Sequence, residues 1–299
     1  TTDLLFKKPV NATTGYTTLQ SNIGSLENKG LELALNGKIF TGKFKWDLGG
    51  NISFVKNKLL SLIEGNDMYI VPSSGSNLLG GSMHALINGQ PISTFYMLKM
   101  EGIYQRDDEV PANLYAKGVR AGDVKYFDYN EDGDISDADR MNVGKAIPDF
   151  YGGITSNFSY KGFDLSLFGQ FSVGGKVMSA WRGVNGSEGT DHLGLALSNV
   201  KVNDRGESVE QYFNVSKEVA NGYWRGEGTS NTIPRPVRIG VHTGYDYDYN
   251  VQTSTRYLED ASYFKLKTVT LGYTLPESVV KKLRVNSLRV YVSADNLLT

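Results

Sequence analysis

Apolar side chains recur at every second residue through the ordered-looking stretches of this chain, a spacing that suits strands and excludes amphipathic helices. In Leu31–Phe40 the apolar positions are Leu31, Leu33, Leu35 and Ile39. In Phe44–Phe54 they are Phe44, Trp46, Leu48, Ile52 and Phe54, set against Lys45, Asp47, Gly49, Asn51 and Ser53. Ile154, Phe158 and Tyr160 alternate with Thr155, Asn157 and Ser159. Phe163, Leu165, Leu167, Gly169 and Phe171 alternate with Asp164, Ser166, Phe168 and Gln170. Val269, Leu271, Tyr273 and Leu275 alternate with Thr268, Thr270, Gly272 and Thr274, and Leu288–Ala294 reads as a last strand.

The connections between these strands fall into two length classes. Those at 41–43, at Lys161-Gly162 and at 276–286 are short, and Lys161-Gly162 suits a two-residue hairpin. Those at 64–150 and 176–256 are very long and rich in Gly, Asn, Ser and charge. Successive up-and-down strands reverse direction, so every short turn falls at one end and both long segments at the other. The expected fold is therefore all-β: part of a transmembrane antiparallel β-barrel, with short periplasmic turns and two long extracellular loops. Phe40, Phe44, Tyr160, Phe163 and Tyr273 lie beside the short turns, where an interfacial girdle belongs. The alternative is a secreted, calcium-stabilised β-sandwich that binds glycans or mediates adhesion. Against it, the polar faces carry small hydrogen-bonding residues rather than dense Lys and Glu, and a compact sandwich rarely carries two loops of that length.

Composition removes other classes. The chain has 299 residues, net charge −1, 34 Gly, 18 Tyr and no Cys. Near-neutral charge without a basic cluster gives no case for a nucleic-acid partner. The lack of Cys excludes disulfides, thiol catalysis and thiolate metal sites. No apolar run is long enough for a transmembrane helix. The first residues show neither Met nor a signal peptide, and the last residues lie inside a strand-like run, so the expectation is a segment of a longer protein.

The long segment 64–150 holds Asp128-Tyr-Asn-Glu-Asp-Gly-Asp-Ile-Ser-Asp-Ala-Asp139, close to the twelve-residue calcium loop. Its candidate ligands are Asp128, Asn130, Asp132 and Asp139, with the backbone carbonyl of Asp134, for Ca²⁺ or the smaller Mg²⁺. Gly133 permits the sharp turn, and Ile135 is placed to pack the loop on its neighbour. The flanks are not those of an EF-hand: a strand-like run, Val124–Phe127, precedes the loop, and Gly144 and Pro148 spoil a helix after it. Five aspartates here, Asp128, Asp132, Asp134, Asp137 and Asp139, repel one another without a cation; the alternative is an acidic surface turn that binds nothing specific. The expected role is to stiffen the loop, not to catalyse. His84, His192 and His242 show no metal spacing, and no nucleophile, zinc-protease or phosphate-loop motif is present. No enzyme is expected. In the second long segment, Trp181, Trp224, Tyr245, Tyr247 and Tyr249 are candidate contacts for a substrate or partner, against the reading that they pack within the loop.

Several phrases sharpen the barrel reading: Asn22–Leu33, Gly89–Tyr96, Asp123–Ile135, Phe158–Phe168, Asp260–Pro276 and Leu288–Thr299. In this order they resemble the TonB-linked outer-membrane transporters of the SusC/RagA family across nearly the whole chain. The resemblance implies a 22-stranded barrel with an N-terminal plug, a SusD-like surface lipoprotein partner and TonB-energised import into a bacterial cell. It implies oligosaccharide cargo in most members and peptide in some, with residues 1–299 as the C-terminal part of the barrel, bounded by outer-membrane lipid. The plug, the TonB box and the last strands lie outside these residues.

Overall fold

Strands β1 (Gly24–Thr41), β2 (Phe44–Leu62), β3 (Phe150–Tyr160), β4 (Phe163–Val173), β5 (Tyr263–Thr274) and β6 (Arg289–Leu298) form one antiparallel sheet, each beside its neighbours in sequence. In this computed structural model the described residues are 24–62, 67–71, 82–179, 217–236, 249–250 and 252–299. The backbone alone is described for strands at 5–9, 18–22, 184–185, 190–191, 196–202, 208–212 and 237–238. The chain divides into two compact units: Thr1–Ile63 with Ala146–Lys176 and Asp260–Thr299, and Glu64–Lys145 with Val177–Glu259. The six-stranded sheet belongs to the first.

Register turns the alternation of the sequence into two chemically distinct faces, because directly paired residues share a face. One rung runs Leu33, Ile52, Gly152, Phe171, Phe264 and is apolar. On the other face a rung crosses all six strands as Lys38, Asp47, Asn157, Ser166, Thr270 and Ser293. Its hydroxyls and amides bond along the rung: Ser166 Oγ to Asn157 Oδ1 at 2.7 Å, and Thr270 Oγ1 with Ser293 Oγ at 2.9 Å. The alternation breaks once in β1, where a bulge at Ile39 brings Phe40 opposite Trp46.

All three short turns close one end. Lys161 (φ 48°) and Gly162 (φ 87°) take the paired positive φ values of a tight hairpin, and a side chain on Gly162 would meet the Thr274 carbonyl at 2.8 Å. The connection from β5 to β6 carries a short helix, Glu277–Lys282, started by Pro276. The apolar face bears two aromatic belts. At the turn end Phe40, Phe44, Trp46 and Phe158 form a chain of ring contacts at 5.7–6.2 Å, and Phe163 meets Tyr273 at 4.4 Å. At the far end Phe54 meets Phe150 at 5.6 Å and Phe150 meets Phe171 at 6.3 Å. Between Phe44 and Phe54 a strand rising about 3.3 Å per residue advances roughly 33 Å. Tilted by about 40°, it spans about 25 Å of height, the apolar band of an outer-membrane barrel. Leu31, Leu33, Leu35, Ile154, Leu271, Val290 and Val292 in this band are 45–81% exposed, as lipid-facing side chains must be.

The second unit gathers both long segments. Connection lengths predict two long loops, and these share one core of Leu98, Tyr104, Val110, Leu114, Val119, Val124, Tyr126, Ile135 and Tyr249. A four-stranded sheet, in the order 141–145, 94–97, 84–87 and 68–70, lies in the first segment. Among the described residues no helix is long and apolar enough to cross a membrane, a statement that bears on helices only.

Candidate functional site

Asp123 joins the two long segments at the centre of the second unit. It is 2% exposed and accepts from Arg235 Nε at 2.7 Å, Arg235 Nη2 at 2.9 Å, Asn250 Nδ2 at 2.8 Å and the Arg120 amide at 2.8 Å. Asn250, fully buried, also accepts from the Val124 amide at 2.8 Å. The Tyr126 hydroxyl donates to the Tyr249 carbonyl at 2.9 Å, and burial pushes the Tyr126 phenol far up from its ordinary value. A buried carboxylate is tolerable only with such a set of donors.

The 128–139 loop hangs from this core by Ile135, 7% exposed. Its short polar side chains fold the backbone on itself. Asp128 Oδ2 accepts from the Gly133 amide at 2.8 Å, Asn130 Oδ1 from the Asp132 amide at 3.0 Å, and Asp132 Oδ1 from the Asp134 amide at 2.8 Å. Gly133 supplies the φ of 75° that this turn needs. The acid at position twelve behaves differently from the ligand expected of it. Asp139 is fully buried, and its oxygens accept from the amides of Tyr129 at 2.9 Å and Ser136 at 2.8 Å, with longer contacts from Asn130 N and Ser136 Oγ at 3.4 Å. It staples the loop shut. The Asp134 side chain pairs with Lys117 Nζ, leaving its carbonyl as the expected ligand atom. Asp128 Oδ1 is buried with no hydrogen-bond partner among the described residues. Among those residues no three His, Asp or Glu side chains converge as a cation site. A cation here would draw on Asp128 Oδ1 with the oxygens of Asn130 and Asp132, an all-oxygen set that suits a hard ion.

Of the aromatic candidates, Trp181, Tyr245 and Tyr247 lie outside the described residues. Tyr249 is 2% exposed and packs edge-on against Tyr126 at 5.3 Å, so the expected surface contact is corrected to a core residue. Trp224 is half-buried: its indole lies on Gly122, where an added Cβ would meet Cε3 at 2.5 Å, and its Nε1 donates to Gln105 Oε1 at 3.2 Å. Packing took both side chains because the two segments close on each other, a long-range event with no local signature. His84 packs on Phe95 at 4.7 Å, and burial lowers its pKa from 6.5. His192 and His242 lie outside the described residues.

The polar face of the sheet is the other functional surface. A shallow concavity of about 290 Å³ opens on it among Asn36, Lys38, Asp47, Thr155 and Asn157. Nearer the short turns, Arg289 reaches across β5 to Asp164, Nε to Oδ1 at 3.0 Å.

A sheet with a lipid-type belt on one face and hydrogen-bonded polar rungs on the other is the wall of an outer-membrane β-barrel. No family model matches the chain. It is 33% identical over 303 residues to TonB-dependent receptor P3 of Formosa agariphila, covering 100% of this chain and 27% of that protein. To TonB-dependent receptor SusC of Bacteroides thetaiotaomicron it is 26% identical over 279 residues, covering 92% and 23%. The fold matches the RagAB peptide transporter with a TM-score of 0.68 at 21% identity, over 99% of this chain and 28% of that one. The chain belongs to the SusC/RagA family of TonB-linked outer-membrane receptors. It spans about a quarter of the length of the relatives it matches, 27% of receptor P3.

Proposed function

We propose that the full protein imports nutrient oligomers across the outer membrane, energised through TonB, with a SusD-like lipoprotein seated at the mouth. Its action is binding and passage, not bond-making. The observation that carries this reading is the six-stranded wall: apolar belts outward, polar rungs inward, and both long segments leaving the same end. The cargo is an oligosaccharide or a peptide. The test is expression of the full-length gene with and without its neighbouring lipoprotein gene. Expected are recovery in the outer-membrane fraction, heat-modifiable migration of a folded barrel, co-purification of the lipoprotein, and loss of growth on the cargo when the gene is deleted. A protein that stays soluble without detergent sinks the reading.

We also propose that the 128–139 loop takes Ca²⁺ through Asp128, Asn130, Asp132 and the Asp134 carbonyl, with Asp139 as the staple that shapes it. The buried, unbonded Asp128 Oδ1 supports this, since a desolvated carboxylate oxygen is costly without a donor or a cation. Calcium added to the full-length protein should protect this segment from proteolysis more than magnesium does, because Ca²⁺ accepts irregular oxygen sets that Mg²⁺ refuses. Equal protection by the two ions, or none, defeats the assignment.

A further inference from the structure

The short connections of the sheet are basic. They carry Lys43, Lys161, Lys281, Lys282 and Arg284 against a single acid, Glu277, which Lys281 takes at 3.0 Å. Lys43, Lys161, Lys282 and Arg284 have no carboxylate partner among the described residues. At the first two turns a concavity of about 340 Å³ opens among Lys43, Lys45, Tyr160, Lys161 and Phe163. Its one carboxylate, Asp164, is already held by Arg289. Lys161 Nζ lies 5.2 Å over the ring of Tyr160, a residue of the lipid-facing girdle. These turns face the periplasm, so the two turn lysines stand at the headgroup level of the periplasmic leaflet.

Beyond the girdle the same apolar face opens into a hollow of about 600 Å³. Glycine and leucine exchange places across the first two strands to make it: Leu35 pairs with Gly50, and Gly37 with Leu48. The missing side chains of Gly37 and Gly50 leave the gap, and Leu35, Leu48 and Ile154 wall it. An added Cβ at Gly50 would meet the Gly153 carbonyl at an ordinary 3.5 Å, so the backbone there does not itself demand glycine. Along β2, Leu48 is four residues from Phe44 and Ile52 is eight. At the strand rise and tilt used above, the hollow lies about 10–20 Å up a band about 25 Å tall. It straddles the midplane, where the acyl chains of one leaflet end. The way to it from the turns passes Phe44, Trp46 and Phe158, and the one hydroxyl beside them, Ser156 Oγ, accepts from Trp46 Nε1 at 2.9 Å.

We propose that Lys43 and Lys161 hold the phosphate of an anionic phospholipid of the periplasmic leaflet, with one acyl chain running over Phe44 and Trp46 into the hollow at Gly50. Unpaired cations at headgroup level and an apolar hollow one chain length away, both on the lipid-facing side, match the two ends of one such molecule. A zwitterionic lipid would bring its own cation to the lysines and gain less. The test uses the full-length receptor in nanodiscs of phosphatidylethanolamine with a minority of phosphatidylglycerol, and reads by mass spectrometry the lipids that stay bound on transfer to detergent. Phosphatidylglycerol should be enriched over phosphatidylethanolamine. Lys43→Ser and Lys161→Ser should each cut its retention about fivefold and leave that of phosphatidylethanolamine unchanged. Gly50→Leu, which fills the hollow, should cut retention of long-chain phosphatidylglycerol but not of a short-chain form. Lys56→Ser, at the opposite end of β2, should change neither. Heat-modifiable migration of each variant separates loss of binding from loss of fold. Equal retention of the two lipids, indifference to both lysine variants, or indifference of the long chain to Gly50→Leu overturns the proposal. Displacement of the lipid by inorganic phosphate alone also overturns it, since the site would then be one for free phosphate.

Discussion

Arg289 on β6 grips Asp164 on β4 across the intervening strand, and Gly272 on β5 is what lets it pass. An added Cβ at Gly272 would meet Arg289 Nη2 at 2.5 Å and Asp164 Oδ1 at 2.6 Å. The pair therefore ties three strands where a longer residue would separate it. Both side chains are partly exposed, 40% and 34%, so solvent screens the pair and Arg289→Leu should lower the thermal stability of the barrel only slightly. Gly272→Ala should cost a similar amount through the same pair. The two changes should be strongly non-additive in a double-mutant cycle on thermal unfolding of the full-length barrel. Simple additivity would mean that Gly272 acts independently of the pair.

Asp123 should hold both long segments at once. Removing one partner of a buried ion pair costs about 3–5 kcal/mol. The Arg235 side chain is 32% exposed and recovers some hydration, which lowers the expectation for Asp123→Ala to about 2–3 kcal/mol. Hydrogen exchange should rise together at Val124–Tyr126 and around Asn250. Loss of protection in one segment alone would show that the shared core does not depend on this residue.

The first unit was legible in the sequence because its determinants are local. Period-two alternation fixed which residues share a face, and Lys161-Gly162 and the length of each connection fixed which end is which. The second aromatic belt, Phe54, Phe150 and Phe171, follows from the same alternation at the opposite ends of the same strands. The second unit was illegible for a physical reason. Asp123 with Arg235, and Tyr126 with Tyr249, are separated by more than a hundred residues and meet only when the two segments close. An aromatic such as Tyr249 carries no mark that says core rather than contact. Asp139 illustrates the same limit at short range: its place in the motif identified the residue, while the amides that occupy its oxygens come from the folded turn.

His84 should give the second unit a pH-dependent component. Burial against Phe95 lowers its pKa below 6.5, so the folded state binds a proton less readily than the unfolded chain. Its contribution is therefore complete above pH 6.5 and is lost as pH falls through the lowered folded value. Thermal unfolding between pH 8 and pH 5 should show this loss in the parent protein, and His84→Phe should flatten it. An unchanged pH slope in His84→Phe would assign the effect to other groups.

Asp139 and Asp128 should separate shape from metal in the 128–139 loop. Asp139 is fully buried with both oxygens accepting from backbone amides, and Asn can replace only one of those acceptors. Asp139→Asn should therefore destabilise the loop by about 2–3 kcal/mol with calcium or without it. Asp128 has one bonded oxygen and one buried oxygen without a donor. Asp128→Asn retains an acceptor for the Gly133 amide and removes the charge. Without calcium it should leave the loop at least as stable as in the parent, because it removes an uncompensated buried charge; with calcium it should abolish the protection the ion confers. Proteolysis of the full-length variants with and without calcium reads both effects, and calcium protection that survives in Asp128→Asn would move the ion away from this loop.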